Sequence, residues 1–244
     1  MTQRMTYSDK AYLLKLIETT FQNLKDERSI DFQEITKQIS VDYENVIETL
    51  RGLLGQNHPP GFIRVSLGLA AISLGAEPEK IARQLSWREM EIFVAHACHL
   101  SGLMQRTNVR LSFEKKRVEL DVVAASTSLC LVFDCKRWNK RLAGKTLNTI
   151  VEKHKQRTII LKQFFEKNMS GRKLVFFTPV IVSLYEPSSR KASDIYIVPV
   201  NSLKSFLQFV ENVLGGEVYT AHLDEKWTEF FARDNLNQSL ENWR

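Results

Sequence analysis

The chain has 244 residues, is 43% hydrophobic and 25% charged with a net charge of +6, and so suits one large or two small domains while excluding disordered and fibrous classes. Its longest apolar run, near 67–74, is far shorter than the roughly 20 residues that cross a bilayer, so no membrane partner is expected, and MTQRMTYSDK lacks the apolar stretch of a secretory signal. Cys98, Cys130 and Cys135 are an odd set without CxxC spacing, which disfavours a disulfide frame or zinc ribbon and points to a reducing cytoplasm.

In chain order, Leu13, Leu16, Ile17, Thr20 and Leu24 recur at helical spacing and predict a helix over 11–24. Phe32–Ile39 follows Asp31 as an N-cap, and a third helix over 42–54 carries Val46, Leu50, Leu53 and Leu54 on one face. QNHPPG then breaks the pattern, and FIRVS reads as a short strand. Three short helices and a wing suggest a winged helix-turn-helix domain over 1–64. Its net charge of −1 lacks the electrostatic attraction that dominates non-specific DNA affinity. Both a DNA contact and a structural or dimerising role stay open for it.

Helices over 67–74 and 79–85, the second with Pro78 at its start, form a connector over 65–85. Ser86-Trp87-Arg88-Glu89 is a capping box, in which Glu89 reaches back to the amide of Ser86; its helix runs to about Leu100 and stops at Gly102. From Thr107 the period becomes two. Strands are expected over 109–113, 118–124 and 129–136, with Glu114-Lys115-Lys116-Arg117 as the turn of the first hairpin. A long helix over 145–167, strands over 174–184 and 194–199 and a helix over 202–213 complete an αβββαββα order and a mixed α/β sheet in a domain over 86–244. Trp227, Phe230, Phe231 and Trp243 make the last 28 residues aromatic enough to pack on that core.

Charge is concentrated. Residues 136–173 hold 12 Lys and Arg against Glu152 and Glu166 alone, whereas the rest of the chain is near neutral or acidic. A basic segment of this kind is either a footprint for a polyanion or a solvated helix face.

The chemistry sits just before it, in VELDVVAASTSLCLVFDCKRW. Side chains alternate along an extended strand, so Asp134 and Lys136 share a face, and Asp121 lies on the neighbouring strand across a short connection. Two carboxylates among Val, Leu and Phe repel each other unless a positive charge lies between them. A hard divalent cation, Mg²⁺ or Mn²⁺, satisfies both, and Lys136 could orient an attacking water or stabilise a charged phosphate. Glu119, two residues before Asp121, would share its face as an auxiliary group. The alternative is that both carboxylates are solvated strand ends. His96, Cys98 and His99 share a helix but lack further ligands, and packing explains them better than metal.

The pattern D-x(12)-D-x-K resembles the PD-(D/E)xK nucleases, with a separation similar to that of archaeal Holliday junction resolvases. Asp134-Cys135-Lys136-Arg137-Trp138 resembles the Q-C-K-R-[WY] motif of Mrr-like restriction endonucleases, with Asp where that group has Gln. Met90-Glu91-Ile92-Phe93-Val94 matches their F-E-x-F-V, and Gly102 lies eleven residues after Glu91. The resemblance covers about 86–200; the family's T-x-G is replaced by Thr178-Pro179-Val180.

It implies a restriction-endonuclease-like core and a Mg²⁺- or Mn²⁺-dependent DNA endonuclease. Asp121, Asp134 and the Cys135 carbonyl would hold metal, Glu91 would assist through water, and Lys136 would position the nucleophile. Glu89 is already explained by the capping box; Glu91 is not. Lys140, Arg141, Lys145, Lys153, Lys155 and Arg157 are expected to contact phosphate, with His154 as a weaker candidate, and Trp138 to stack on a base or pack. Cleaving both strands would suit a homodimer. The other readings are a non-catalytic DNA-binding protein using the winged helix and a nuclease-like platform, and an RNA-processing nuclease on the same fold.

Overall fold

In the computed structural model, α1 (Tyr7–Asn23), α2 (Phe32–Ile39), α3 (Tyr43–Leu54), α4 (Ile63–Ser73) and α5 (Pro78–Gln84) form the first of two compact units, Met1–Phe93; the second is Val94–Arg244. The structure describes residues 7–24, 31–39, 43–54, 63–137, 144–192, 195–209 and 219–232. Among these, no helix is long and apolar enough to cross a membrane.

Of the residues expected at helical spacing, Leu16, Ile17, Thr20, Leu24, Val46 and Leu50 are buried and Leu13 is half-buried; Phe21 and Ile35 are buried as well, and α1 packs on α2 and α4. Asp31 Oδ1 accepts from the amides of Gln33 and Glu34, each at 3.1 Å, so it caps α2. The expected strand over FIRVS is not there. Residues 63–66 open α4, because Val65 and Leu67 continue into Gly68 and Ala71 as one buried stripe that a helix can present. No wing therefore forms at those positions.

The capping box forms as expected at the start of α6 (Trp87–Leu100): the Ser86 amide donates to Glu89 Oε2 at 2.6 Å, and the Glu89 amide donates to Ser86 Oγ at 3.2 Å. Glu89 does more than cap. It is 5% exposed, and its Oε1 receives Arg64 Nε at 2.7 Å. The same guanidinium donates to the carbonyls of Phe21, Leu24 and Gln84, tying α1, α4 and α5 around one largely buried cation. Gly102, at φ 81, ends α6, and the Leu103 amide closes on the Cys98 carbonyl at 3.0 Å.

Among the described residues, the second unit is built on one mixed sheet of seven strands: β1 (Met104–Phe113), β2 (Lys116–Ala125), β3 (Leu129–Lys136), β4 (Ser170–Ser183), β5 (Lys191–Ala192), β6 (Ile195–Pro199) and β7 (Tyr219–Leu223). Strand order is β1-β2-β3-β4-β6-β5, with β7 also on β4. Glu114 and Lys115, both at positive φ, form a two-residue turn, so Lys116 and Arg117 belong to β2 rather than to the turn expected there. The crossover from β3 to parallel β4 is α7 (Gly144–Asn168), whose Leu147, Val151, His154, Thr158, Leu161 and Phe165 form its buried stripe.

Pro179 sits in a central strand without breaking it. The amides of Phe176 and Leu184 donate to the carbonyls of Ser128, just before β3, and of Lys136 at its end, so even-numbered positions of β4 face β3 and the Pro179 nitrogen faces the other edge. There it falls between the last pair with β7, at Phe177, and the first with β6, at Val180, where no ladder bond is required. α8 (Leu203–Phe209) follows β6; β7 was not anticipated. Trp227 is fully buried and meets Phe165 edge-on at 5.6 Å, as Phe230 does at 5.1 Å, so the aromatic tail does pack on the core before and within α9 (Glu229–Ala232). Trp243 lies outside the described residues.

Candidate active site

The β2–β3 ladder runs from Ala125↔Cys130 to Val122↔Phe133 and stops one step before Asp121 would face Asp134. Cys135 turns its amide to the β2 edge, because the even-numbered carbonyls of β3 are taken by β4. That amide donates to Asp121 Oδ2 at 2.7 Å, so the carboxylate stands where the next backbone acceptor of β2 would be. The Cys135 carbonyl faces the same edge, since N–H and C=O of a strand residue point the same way.

Alternation in β2 is also interrupted here. Register with β1 holds on both sides of Asn108 and Asp121 but not at that pair, and Asn108 has φ 50. Leu120 and Val123, three residues apart, both join the cluster with Leu161 and Phe165 of α7. A regular strand would put them on opposite faces; a local irregularity beside a site is a common way to re-aim a side chain. It also separates Glu119 from Asp121. Glu119 is exposed and pairs with its cross-strand neighbour Arg110 at 3.0 Å, so the auxiliary role expected from a shared face is not supported.

Asp134 is 2% exposed. Lys136 Nζ lies 2.9 Å from each of its oxygens, and Arg157 Nη1 of α7 lies 3.4 Å from Oδ1. Burial first, and then the Asp134 charge, push the Asp121 carboxyl up to about 6, against the pull of the Cys135 amide, Lys136 and Arg157. The fork thus holds two adjacent carboxylates, one of them reluctant to ionise, and two cations aimed at the other.

His154 does not face solvent or a phosphate path, contrary to the weaker expectation. It is 1% exposed and its Nε2 bonds the Val132 carbonyl at 2.9 Å; burial lowers its pKa, which keeps the ring neutral. Nε2 is therefore the protonated nitrogen, and the ring pins α7 to β3 two residues before Asp134. Lys145 and Lys153 are exposed on α7, and Lys155 is half-buried. Trp138, Lys140 and Arg141 lie outside the described residues. Glu91 is half-buried on the part of α6 assigned to the first unit. Burial pushes the Cys98 and Cys130 thiols up, far from metal-binding thiolates. The pairing of Arg157 with Asp134 was not foreseen; its signal was only a cation on the helix that follows the motif.

A divalent cation fits this donor set in kind. Two carboxylates and a backbone carbonyl are hard oxygen ligands, and the repulsion that raises Asp121 is what such an ion relieves. Among the described residues, no group of three or more His, Cys, Asp and Glu side chains is placed to hold a metal. The two carboxylates and the carbonyl would supply part of a coordination sphere, with water filling the rest.

No protein-family model matches the chain. An uncharacterized protein of Archaeoglobus fulgidus is 32% identical over 124 residues, 50% of this chain and 90% of its own length. The chain belongs to the same family as that archaeal protein. Protein VC1899 from Vibrio cholerae, known from a crystal structure, aligns over 83% of this chain at 15% identity with a TM-score of 0.34. The chain spans 49% of the Vibrio protein.

Proposed function

We propose that the chain is a metal-dependent DNA endonuclease of the PD-(D/E)xK type, acting in restriction, repair or recombination. The observation that carries this reading is the fork of β2 and β3, which brings Asp121, Asp134 and Lys136 together in a partly dry setting beside the basic helix α7. In this reading the second unit is a restriction-endonuclease-like core. The first is a helix-turn-helix-like module lacking a wing at 63–66.

Asp121, Asp134 and the Cys135 carbonyl would hold one Mg²⁺ or Mn²⁺, whose Lewis acidity would serve phosphodiester hydrolysis. Lys136 pairs with Asp134, and its ammonium could turn to charge growing on the phosphoryl oxygens. His154 keeps β3 at a fixed distance from α7, so the carboxylate and Arg157 approach in a constant geometry. The test is incubation of linear, branched and single-stranded DNA with Mg²⁺ and either wild type or Asp134→Ala. Cleavage by wild type alone is expected; equal cleavage by the variant would overturn the assignment.

One observation favours a second reading, a non-catalytic DNA-binding protein. Lys136 and Arg157 both pair with Asp134 and can together offset its charge. Binding of DNA without cleavage of any substrate would select it.

A further inference from the structure

A cleft of about 530 Å³ opens between the start of β2 and the outer flank of α7, inside the second unit. Lys116 and Arg117 line it from the strand, Lys153, Gln156 and Arg157 from the helix, and Glu152 is its one acid. Among the described residues, Lys116, Arg117 and Lys153 make no ion pair, although Arg110, Lys162 and Arg190 of the same unit all do. Three such cations, outnumbering the one acid on this shallow surface, repel one another, which raises its affinity for an anion. Arg157 belongs to both places: it lines the cleft and its Nη1 reaches Asp134 at 3.4 Å.

We propose that this cleft seats phosphates of a duplex DNA backbone, and that Arg157 links its occupancy to the carboxylate fork. The proposal rests on the DNA reading above and extends it. Lys116 and Arg117, which the sequence places in a hairpin turn, become backbone contacts together with Lys153. Such contacts position a duplex without reading its sequence. A phosphate in the cleft draws Arg157 from Asp134, so that the carboxylate loses a competing cation when substrate is present.

The test uses a short fluorescent duplex, the full chain and EDTA, so that no cleavage intervenes. Affinity is measured by anisotropy over a range of salt for wild type, for K116Q/R117Q/K153Q, and for R172Q/K173Q/K204Q, which loses the same charge on β4 and α8 outside the cleft. Each phosphate contact contributes about 0.9 to the slope of log affinity against log salt. The cleft variant should lose about 3 from that slope, and the control much less. Equal slopes for wild type and cleft variant, equal losses in the two variants, or no binding of duplex by wild type would each overturn the proposal. The nuclease reading fails separately. Wild type that never cleaves but shows the cleft-dependent slope loses its catalysis and keeps this site; wild type that cleaves with a slope indifferent to the cleft does the opposite.

Discussion

Replacing Glu89 with alanine removes two supports at once. The capping box loses its return bond to the Ser86 amide, and a cap of this kind is worth about 1 kcal/mol. The larger loss is electrostatic, because Arg64 and Glu89 are both nearly buried and 2.7 Å apart. Removing one partner of a buried ion pair costs about 3–5 kcal/mol, since the remaining charge keeps its desolvation penalty. Arg64 retains the carbonyls of Phe21, Leu24 and Gln84, which places the effect near the lower end of that range. The expected loss for Glu89→Ala is therefore about 3 kcal/mol, well above the cap alone. Glu89→Gln keeps the box and loses only the charge, so it should fall between wild type and alanine. Urea unfolding of the full chain, followed by its helical signal, measures both. A loss below about 1 kcal/mol for Glu89→Ala would refute the buried-pair argument.

Asp121→Asn should stabilise the metal-free protein at pH 8. Its folded pKa of about 6 lies above the ordinary 3.8, so the group stabilises below about pH 4 and that contribution is lost as pH rises through 6, at most about 3 kcal/mol. Thermal unfolding in EDTA from pH 4 to 8 checks this, and a variant that falls with pH as steeply as wild type would contradict it. Arg157→Gln should bind Mn²⁺ more tightly than wild type at pH 8 without DNA, because a competing cation leaves Asp134; calorimetry showing weaker binding counts against the geometry. From the family resemblance, Glu91→Ala should lose cleavage while keeping most of its stability, the reverse of Glu89→Ala, in a paired activity and unfolding assay.

Much of the second unit is legible because its chemistry is local. Leu129–Lys136 has the bounds that its apolar run predicts, and α7 begins and ends within one residue of expectation. Asp121, Asp134 and Lys136 could be grouped because the strand period places two of them on one face and a short connection brings in the third. What the period could not show is its own failure. The irregularity at Asn108 and Asp121 depends on how β1 and β2 pack against α7, and it undoes the pairing of Glu119 with Asp121. The FIRVS segment misled for a related reason: five residues fit a strand, but the buried stripe that makes 63–66 helical begins at Val65 and continues beyond them, while Phe62 lies outside the described residues. β7 is short and half-exposed, and pairs with a strand more than forty residues earlier, so no local pattern announced it. Arg64 gave no warning either, since its partners lie on three separate segments, the end of α1, α5 and α6.

The central claim is that Lys136 acts on the reacting phosphate rather than on the fold. Single-turnover cleavage of saturating DNA by Lys136→Ala, with Mg²⁺ and alongside an affinity measurement in EDTA, tests it most directly. Loss of a charge that meets the transition state should slow cleavage by about 10²–10³, while affinity falls only slightly, because one lysine among many adds little to ground-state binding. Cleavage at the wild-type rate would contradict the account.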